Sequence, residues 1–281
     1  MMFPLLSVKE LYETLPTGEL RIFDATALLP GDTFNPYARF EQAHIPGSRY
    51  FDGDEFSDPE STQPHTVPTP ARFGKLFGHL GVKNTDRVVF YDQGNIASAC
   101  RAWWLARLFG HEFAYVLDGG LPEWQRHDLP VEQGPAKPVS AETYQPRPHY
   151  ERLKGLGDML EYVQTDTPRI LDARSADRFY GHVPEPRPGL ASGHMPGALN
   201  IPFKRMLDDK GCFLPPQTLR QIFLEAGIPE DQAAVTTCGS GMTASVLNVG
   251  LCRAGFPDSA LYDGSWAEWG ATPDAPVTKD A

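Results

Sequence analysis

One stretch of the chain combines a strand pattern, a loop pattern and a helix pattern within ten residues: Val235-Thr236-Thr237-Cys238-Gly239-Ser240-Gly241-Met242-Thr243-Ala244. The apolar run that ends at Cys238 is typical of a buried parallel strand. The two glycines after it allow a tight loop, and a helix is predicted to begin near Thr243. A strand followed by a glycine-rich loop and a helix indicates an α/β fold with parallel strands.

The chain repeats itself once, at an interval as long as a domain. Three pairs of motifs carry the repeat: Arg21–Ala25 with Arg169–Ala173, Ala43–Ser48 with Gly193–Ala198, and Asp118–Trp124 with Asp263–Trp269. The members of these pairs are separated by 148, 150 and 145 residues, respectively. Ordered matches at nearly constant spacing indicate a duplicated domain rather than a solenoid repeat.

The composition between the two copies indicates an exposed linker. Gly134–Pro138 and Pro146–Pro148 are rich in glycine and proline, which mark turns and loops. We therefore predict a first domain at residues 1–133, a linker at 134–150 and a second domain at 151–281. The tail after Pro273 is expected to be frayed.

Each half alternates strand patterns with helix patterns. Short apolar runs at Arg87–Asp92, Tyr115–Leu117 and Ile170–Leu171 are typical of buried parallel strands. Helix starts are indicated by the capping box at Ser7–Glu10 and by Pro70 at a first helical position. The predicted fold is α/β, with two tandem domains that each contain a mainly parallel sheet flanked by helices.

Composition and charge argue against several classes of function. The 281 residues carry a formal net charge of −11, which disfavours nucleic acid or an anionic membrane as a partner. No apolar run reaches the length of a transmembrane helix, and the first residues lack the pattern of a signal peptide. The four cysteines form no CxxC pair and no metal-binding spacing. We therefore expect a reduced, cytoplasmic protein without a metal or a cofactor.

A comparison of the two halves distinguishes Cys238 from the other cysteines. Asp92 occupies the equivalent position in the first half, so only the second half has a thiol at this strand end. The amides of a glycine-rich loop and the positive end of the following helix stabilise an anion on sulfur and favour the thiolate. We therefore predict a reactive thiol at Cys238 and interpret Asp92 as a structural acid. Small structural cysteines are expected at the remaining positions: Cys100, Cys212 and Cys252.

Several motifs together resemble those of the tandem-domain rhodanese sulfurtransferases. They are Cys-Gly-Ser-Gly-Met-Thr at 238–243, the His-x-Pro-Gly motifs that begin at His44 and His194, and Asp-Gly-Ser-Trp-Ala-Glu-Trp at 263–269. The resemblance covers about residues 5 to 275 and is strongest to the bacterial 3-mercaptopyruvate sulfurtransferases within that family. It implies two rhodanese domains with an active site in the cleft between them and the reactive cysteine in the second domain.

The resemblance also implies a reaction. In that family the cysteine thiolate takes sulfur from 3-mercaptopyruvate, which leaves a cysteine persulfide and pyruvate, and an acceptor then removes the outer sulfur. The implied partners are 3-mercaptopyruvate as the donor and a small thiol, thioredoxin or cyanide as the acceptor. The loop residues implied to bind the anionic groups are Gly239, Gly241, Met242 and Thr243.

Two arginines and a proton relay are implied by the same resemblance. Arg178 and Arg187 match the family's substrate-binding arginines, and a guanidinium suits the carboxylate and carbonyl oxygens of the donor. Ser240, His65 and Asp54 match a chain that could pass a proton to the leaving enolate. The alternative for His65 is an exposed loop histidine, and the alternative for the two arginines is a pair of surface side chains in weak ion pairs.

Other repeated or charged residues are interpreted as structural. His44 and His194 repeat although only one half has the thiol, so their rings are expected to donate to backbone carbonyls. Trp124 and Trp269 are expected to pack the last helix of each domain, and Arg174 is expected to have a structural role.

Three other functions compete with this interpretation. Thiosulfate sulfurtransferase is the alternative within sulfur chemistry, but those enzymes carry basic residues in the loop, whereas Gly239 and Ser240 are uncharged. A cysteine phosphatase needs an arginine six residues after the cysteine, where this chain has Ala244. A regulatory module without catalysis fits the first domain, which lacks the cysteine, and does not fit the second.

Overall fold

The computed structural model describes residues 4–29 and 31–279, and each half of it contains one parallel sheet of five strands. The strands of the first sheet are β1 Leu5–Leu6, β2 Leu20–Asp24, β3 Arg49–Tyr50, β4 Arg87–Tyr91 and β5 Ala114–Leu117. Those of the second sheet are β6 Leu153–Lys154, β7 Ile170–Asp172, β8 Leu199–Asn200, β9 Val235–Thr237 and β10 Ala260–Tyr262. The spatial orders are β1-β5-β4-β2-β3 and β6-β10-β9-β7-β8.

Helices connect the strands in both halves. The first half contains α1 Val8–Thr14, α2 Pro36–Gln42, α3 Pro70–His79, α4 Ile96–Leu108 and α5 Gly120–Arg126. The second half contains α6 Leu156–Thr165, α7 Ala176–Phe179, α8 Pro216–Glu225, α9 Ala244–Ala254 and α10 Ser265–Trp269. Short 3₁₀ segments lie at Leu15–Thr17, Tyr150–Arg152 and Phe203–Met206.

The two sheets have the same strand order, so the second half repeats the topology of the first. The central strands β4 and β9 each lead through a short loop into a helix, α4 in one half and α9 in the other. Asp92 follows β4 and Cys238 follows β9, which confirms their equivalence. The chain therefore has the predicted α/β fold with two parallel-sheet domains.

Helices α4 and α9 pack against each other and join the two halves. Every residue of α4 except Arg107 is buried, because this helix lies between the first sheet and the second domain. One apolar cluster contains residues from both helices, among them Trp104 and Leu247. This packing brings the loop after β9 against the first domain.

Two helix starts have the capping interactions that the sequence predicts. Ser7 Oγ accepts a hydrogen bond from the Glu10 amide at 3.2 Å, and Glu10 Oε2 accepts one from the Ser7 amide at 2.8 Å. At the start of α3, Thr69 Oγ1 accepts from the Arg72 amide at 3.3 Å, and Pro70 takes the first helical position.

The repeated histidines and tryptophans have the structural contacts expected of them. His44 Nδ1 and His194 Nδ1 lie 2.9 and 3.0 Å from backbone carbonyl oxygens. Trp124 and Trp269 are fully buried in α5 and α10, the last helices of the two halves. These residues therefore stabilise the two copies of the fold in the same way.

The expectation of a frayed tail after Pro273 is wrong for residues up to 279. Thr278 pairs with His194 through two backbone hydrogen bonds of 2.9 Å. Trp269 Nε1 also donates to the carbonyl of Pro276 at 3.0 Å. A buried indole N–H needs an acceptor, and the tail supplies it.

Residues 134–150 follow the surface of the first domain. Most of them are exposed, as expected of a linker, but Tyr144 is only 5% exposed and its ring lies 5.0 Å from that of Phe77. The Glu142 amide donates to the carbonyl of Gly78 at 2.8 Å. The linker is therefore attached to the first domain, and the exact domain limits stay a prediction.

The longest helix that the structure describes is α4, with 13 residues. None of the described helices is both long and apolar enough to cross a lipid bilayer, which takes about 20 residues. In the same part of the chain, no group of three or more His, Cys, Asp or Glu side chains could hold a metal ion.

Candidate active site

Cys238 lies directly after β9 and is only 2% exposed. It begins a segment, residues 238–243, that we call the cysteine loop. Two backbone hydrogen bonds tie this loop to α10, since Trp266 N donates to Cys238 O at 2.9 Å and Ala267 N donates to Gly239 O at 3.0 Å. The cysteine loop is therefore fixed by β9, from which it continues, and by α10, to which it is hydrogen-bonded.

The end of the cysteine loop leads into α9. Gly241 has a φ of +77°, in the left-handed region that favours glycine. Ser240 and Met242 are buried, and Thr243 is the residue before the first helical turn. Ser245 Oγ in that turn donates to the Gly241 carbonyl at 3.0 Å. The positive end of an 11-residue helix thus begins where the loop ends, which favours an anion there.

The other three cysteines favour the neutral thiol. Burial raises the pKa of Cys100 well above its usual value, raises that of Cys212 to about 11, and raises that of Cys252. Cys100 is buried as expected, whereas Cys212 and Cys252 are half-buried. Because the thiolate is the nucleophile, these three residues are poorly suited to sulfur transfer.

Arg178 lies against the cysteine loop. A Cβ added to Gly239 would be 2.9 Å from Arg178 Nη2, so the guanidinium occupies the space that a side chain would need. Glu185 holds this guanidinium, because its Oε2 accepts from Nη2 at 2.5 Å and its Oε1 accepts from Nε at 3.2 Å. Such a bidentate pair fixes orientation as well as charge. Arg178 therefore places a fixed cation beside the residue that follows Cys238.

Arg187 is half-buried. Burial lowers the pKa of its guanidinium, and the charge of Arg178 lowers it further, whereas Cys238 and Glu185 act in the opposite direction. These influences place Arg187 within electrostatic range of Arg178, Glu185 and Cys238. The structure thus places Arg178 against the cysteine loop and Arg187 within electrostatic range of Cys238.

Arg174 has the structural role expected of it. It is 2% exposed, pairs with Asp172 and Glu185, and lies 4.1 Å from the ring centroid of Trp266. Glu185 therefore binds Arg174 and Arg178 at once. Sequence reasoning missed Glu185, although a glutamate flanked by two prolines and close to two candidate arginines is a signal that could have found it.

His65 is a residue of the first domain with a backbone φ of +61°. Burial lowers its pKa to about 4, and the charges of Arg101 and Arg187 act in the same direction. The ring is therefore neutral at physiological pH. Its Nδ1 is buried without a hydrogen-bond partner among the described residues. His65 is thus an enclosed histidine rather than an exposed one.

The predicted proton relay is only partly assembled. His65, Asp54 and Met242 line one cavity of about 20 Å³. Burial and the neighbouring charge of Asp52 raise the pKa of Asp54. Ser240 is buried in the cysteine loop, but no hydrogen bond in the described part of the chain joins it to His65 or joins His65 to Asp54. The structure therefore brings two members of the relay to one cavity and leaves the third unconnected.

A second residue that sequence reasoning missed is Arg101 of α4. Its side chain lines the same cavity as His65 and Asp54. It is a charged residue on a helix whose other positions around it are buried and mostly apolar. Charges are rarely buried without a partner, so this pattern is the signal that could have found it.

The equivalent loop of the first domain contains a carboxyl instead of a thiol. Asp92 is 2% exposed, and its Oδ1 accepts from the Gly94 amide at 2.8 Å. Burial raises its pKa to about 7. Asp92 therefore interacts with its own loop, which agrees with the structural role expected of it.

The sequence matches the family model of the rhodanese-like domain twice, at residues 7–127 and 156–272. The 3-mercaptopyruvate sulfurtransferase of Escherichia coli strain K12 is 39% identical over 268 residues, which cover 95% of each chain. The thiosulfate sulfurtransferase of Rattus norvegicus is 36% identical over 272 residues, which cover 94% of this chain and 91% of that one.

Solved structures show the same similarity. The crystal structure of SseA from Escherichia coli, described as a 3-mercaptopyruvate sulfotransferase, has a TM-score of 0.86 at 35% identity and covers 94% of this chain and 99% of its own. The Tum1 protein of Saccharomyces cerevisiae has a TM-score of 0.89 at 27% identity and covers 99% and 98%. Both similarities therefore extend over almost the whole chain. With two matched domains and relatives that are similar along almost its whole length, the chain belongs to the rhodanese family.

Proposed function

We propose that this chain is a 3-mercaptopyruvate sulfurtransferase that carries sulfur as a persulfide on Cys238. The observation that carries the proposal is the Arg178 guanidinium packed against the loop of Cys238, with Arg187 within electrostatic range of the thiol. Mercaptopyruvate has a carboxylate and a ketone separated from its sulfur by carbon, and two guanidinium groups beside the thiol suit this arrangement. The similarity to the Escherichia coli 3-mercaptopyruvate sulfurtransferase supports the same donor.

In the first half-reaction the Cys238 thiolate attacks the sulfur of the donor. An S–S bond forms as the C–S bond breaks, and the electron pair of the broken bond stays on carbon as the enolate of pyruvate. One proton then converts this enolate into pyruvate. The two sulfur atoms are oxidised to the persulfide, and the carbon is reduced.

Amides of the cysteine loop stabilise the anionic sulfur in this proposal. Gly241 allows the turn that aims successive N–H groups inward, and the N-terminal end of α9 adds its dipole. The residues assigned to binding of the anionic groups are Gly239, Gly241, Met242 and Thr243. The same groups can stabilise first the thiolate and then the persulfide.

Delivery of the proton is assigned to Ser240, His65 and Asp54. A neutral imidazole has one N–H and one lone pair, so His65 can accept a proton on one side and donate on the other. The cavity that His65 shares with Asp54 supports their pairing. Ser240 would join the chain when the bound donor moves its hydroxyl toward His65.

Thiosulfate is the alternative donor, and the similarity to the rat thiosulfate sulfurtransferase is a reason to test it. Its charge is adjacent to the transferred sulfur, so it needs cations within the loop, where Gly239 and Ser240 supply none. A larger side chain at Gly239 would meet Arg178. The loop therefore favours mercaptopyruvate.

In the second half-reaction a small thiol, thioredoxin or cyanide takes the outer sulfur and regenerates the Cys238 thiolate. Cys100, Cys212 and Cys238 are free thiols, which supports a reducing cytoplasmic location.

We also propose the domain limits 1–133 and 151–281 with a linker at 134–150, because one parallel sheet lies on either side of this segment.

A comparison of donors tests the proposed function. With cyanide as the acceptor, we expect the specificity constant for mercaptopyruvate to exceed that for thiosulfate at least about tenfold, or about 1.4 kcal/mol. Mercaptopyruvate without an acceptor should add the mass of a single sulfur atom, and cyanide should remove it. A preference for thiosulfate would replace the proposed function by the alternative.

A further inference from the structure

We infer that Arg101, on helix α4 of the first domain, is a positioning residue for sulfur transfer, because it holds the backbone of His65 and the cysteine loop of the second domain in one fixed arrangement. This inference rests on the proposed function. Arg101 is only 7% exposed, and its guanidinium lies where segments of both domains meet.

The contacts of Arg101 join three segments. Its Nη2 donates to the carbonyl of His65 at 2.5 Å and to Asp263 Oδ1 at 2.8 Å. Its Nη1 would lie 3.0 Å from a Cβ added to Gly241, so the guanidinium packs directly on the cysteine loop. The guanidinium of Arg101 also lies over the ring of Trp104, with Cζ 4.6 Å from the ring centroid. One side chain therefore contacts the histidine segment, the cysteine loop and the end of β10.

Asp263 strengthens this link from the second domain. Its Oδ2 accepts from the Val67 amide at 2.8 Å, while its Oδ1 accepts from Arg101. The side chains of this ion pair are 8% and 15% exposed, so the pair is largely removed from water. Such a pair is costly unless its geometry is good, and it then specifies one arrangement of the groups around it. Here that arrangement sets the position of His65 relative to the cysteine loop.

Both hydrogen bonds of the Arg101 guanidinium come from Nη2, so Nη1 can act on the site. Its Nη1 is buried and has no hydrogen-bond partner among the described residues. The charged and titratable groups around His65 are Arg101 and Arg187, whose charges lower its pKa, Asp54 in the shared cavity, and Asp263 behind Arg101. Arg101 thus helps to keep the imidazole neutral, which is the form that can relay a proton.

Arg107 provides a matched control on the same helix. It also pairs across the domain interface, with Asp258 at 3.4 Å, and it also packs on a tryptophan, with Cζ 5.1 Å from the centroid of Trp103. Its described ion pairs are with Asp258, which follows α9, and with Glu112, and neither residue belongs to the cysteine loop. Arg107→Gln should therefore weaken the interface and leave kcat with mercaptopyruvate within about twofold of the unmodified protein.

Arg101→Gln should lower kcat with mercaptopyruvate about tenfold to a hundredfold, because it removes charge-assisted hydrogen bonds at the site, and it should change KM much less. The acid limb of kcat/KM should move to higher pH, since loss of the cation raises the pKa of His65. Arg101→Lys keeps the positive charge but loses the planar set of donors of the guanidinium. We therefore expect kcat to fall while the acid limb stays in place.

Melting temperatures measured for Arg101→Gln and Arg107→Gln separate the effect on the site from an effect on folding. Equal kcat values in these two variants, or an acid limb that does not move, would overturn the inference. If Arg101→Gln does not fold, the comparison of Arg101→Lys with Arg107→Lys decides in the same way through kcat. Failure of the unmodified protein to use mercaptopyruvate would instead overturn the proposed function.

Discussion

The loops after β4 and β9 are equivalent parts of two copies of one fold, yet only the second begins with a cysteine. In the first, Asp92 bonds to the amide of Gly94, and the charge of Asp24 adds to burial in raising its pKa. In the second, Arg178 lies against the residue that follows Cys238, and Arg187 is within electrostatic range of the thiol. The same strand, loop and helix are present in both. The two copies therefore differ in the charges around the loop and not in the backbone elements that carry it, and we expect these charges to set the reactivity of the thiol.

The neighbouring strand ends show the same contrast. Asp24 at the end of β2 accepts from the neutral side chains of Thr26 and Gln93, and burial raises its pKa. Asp172, its counterpart at the end of β7, pairs with Arg174. A buried carboxylate that has only neutral donors is shifted toward protonation, as Asp24 is. In the second domain, cationic side chains therefore lie beside two strand ends, at Asp172 and at the cysteine loop, whereas Asp24 and Asp92 of the first domain bond to neutral groups.

The largest effect is expected from removing the thiol of the second loop. Cys238→Ser should lower sulfur transfer from mercaptopyruvate at least about a thousandfold, because a serine hydroxyl cannot form a persulfide. Cys212→Ser is the control, since that thiol is half-buried and its pKa is raised to about 11. Steady-state rates and intact mass after donor treatment measure both variants. Loss of the sulfur adduct in Cys212→Ser with retention in Cys238→Ser would reverse the assignment.

Moving the thiol to the first loop makes the comparison sharper. In the Cys238→Ser background, Asp92→Cys places a cysteine at the equivalent strand end of the other domain. We expect this double variant to remain inactive. No arginine is among the described residues that shift the pKa of Asp92, so the first loop has no counterpart of Arg178 and Arg187 to activate a thiol. Intact mass should show no stable sulfur adduct. Recovery of sulfur transfer would mean that the backbone alone activates the thiol.

A smaller effect is expected from removing one arginine at a time. Arg178→Ala and Arg187→Ala should each reduce the specificity constant for mercaptopyruvate about tenfold to a hundredfold, the loss of a charge-assisted hydrogen bond of about 1.5–3 kcal/mol. Much of the loss should be in KM. Arg169→Ala is the control, because Arg169 forms an exposed ion pair with Asp166, and it should change neither constant. Unchanged kinetics in both site variants would remove these arginines from the donor site.

Local patterns made much of the fold predictable from the sequence. The capping box at Ser7–Glu10 and the helix start at Pro70 involve residues close in the chain, and each forms as predicted. The duplication and the position of Cys238 after a central strand follow from motifs within the sequence itself. The two arginines were identified through the family resemblance rather than through these patterns, and one of them, Arg178, lies against the cysteine loop.

Contacts between distant segments were not predictable in the same way. Arg101 and Asp263 are 162 residues apart and meet because α4 packs on α9. The tail was expected to fray because no local pattern shows that Trp269 needs the carbonyl of Pro276. For the relay, the sequence names Ser240 but cannot place its hydroxyl, and its role stays a prediction. Such contacts depend on packing between elements, which no spacing rule contains.

The smallest effect is expected on stability and concerns the first loop alone. The Asp92 pKa is raised to about 7 by burial, so the folded state binds this proton more tightly than the unfolded state. Its contribution to stability is therefore greatest below about pH 4 and is lost as the pH rises through 7. Asp92→Asn keeps the oxygen that accepts from Gly94, and it should raise the free energy of unfolding by about 1–3 kcal/mol at pH 8 and by less at pH 5. Urea unfolding at the two pH values measures this. The same gain at both would show that Asp92 is already ionised in the folded protein at pH 5.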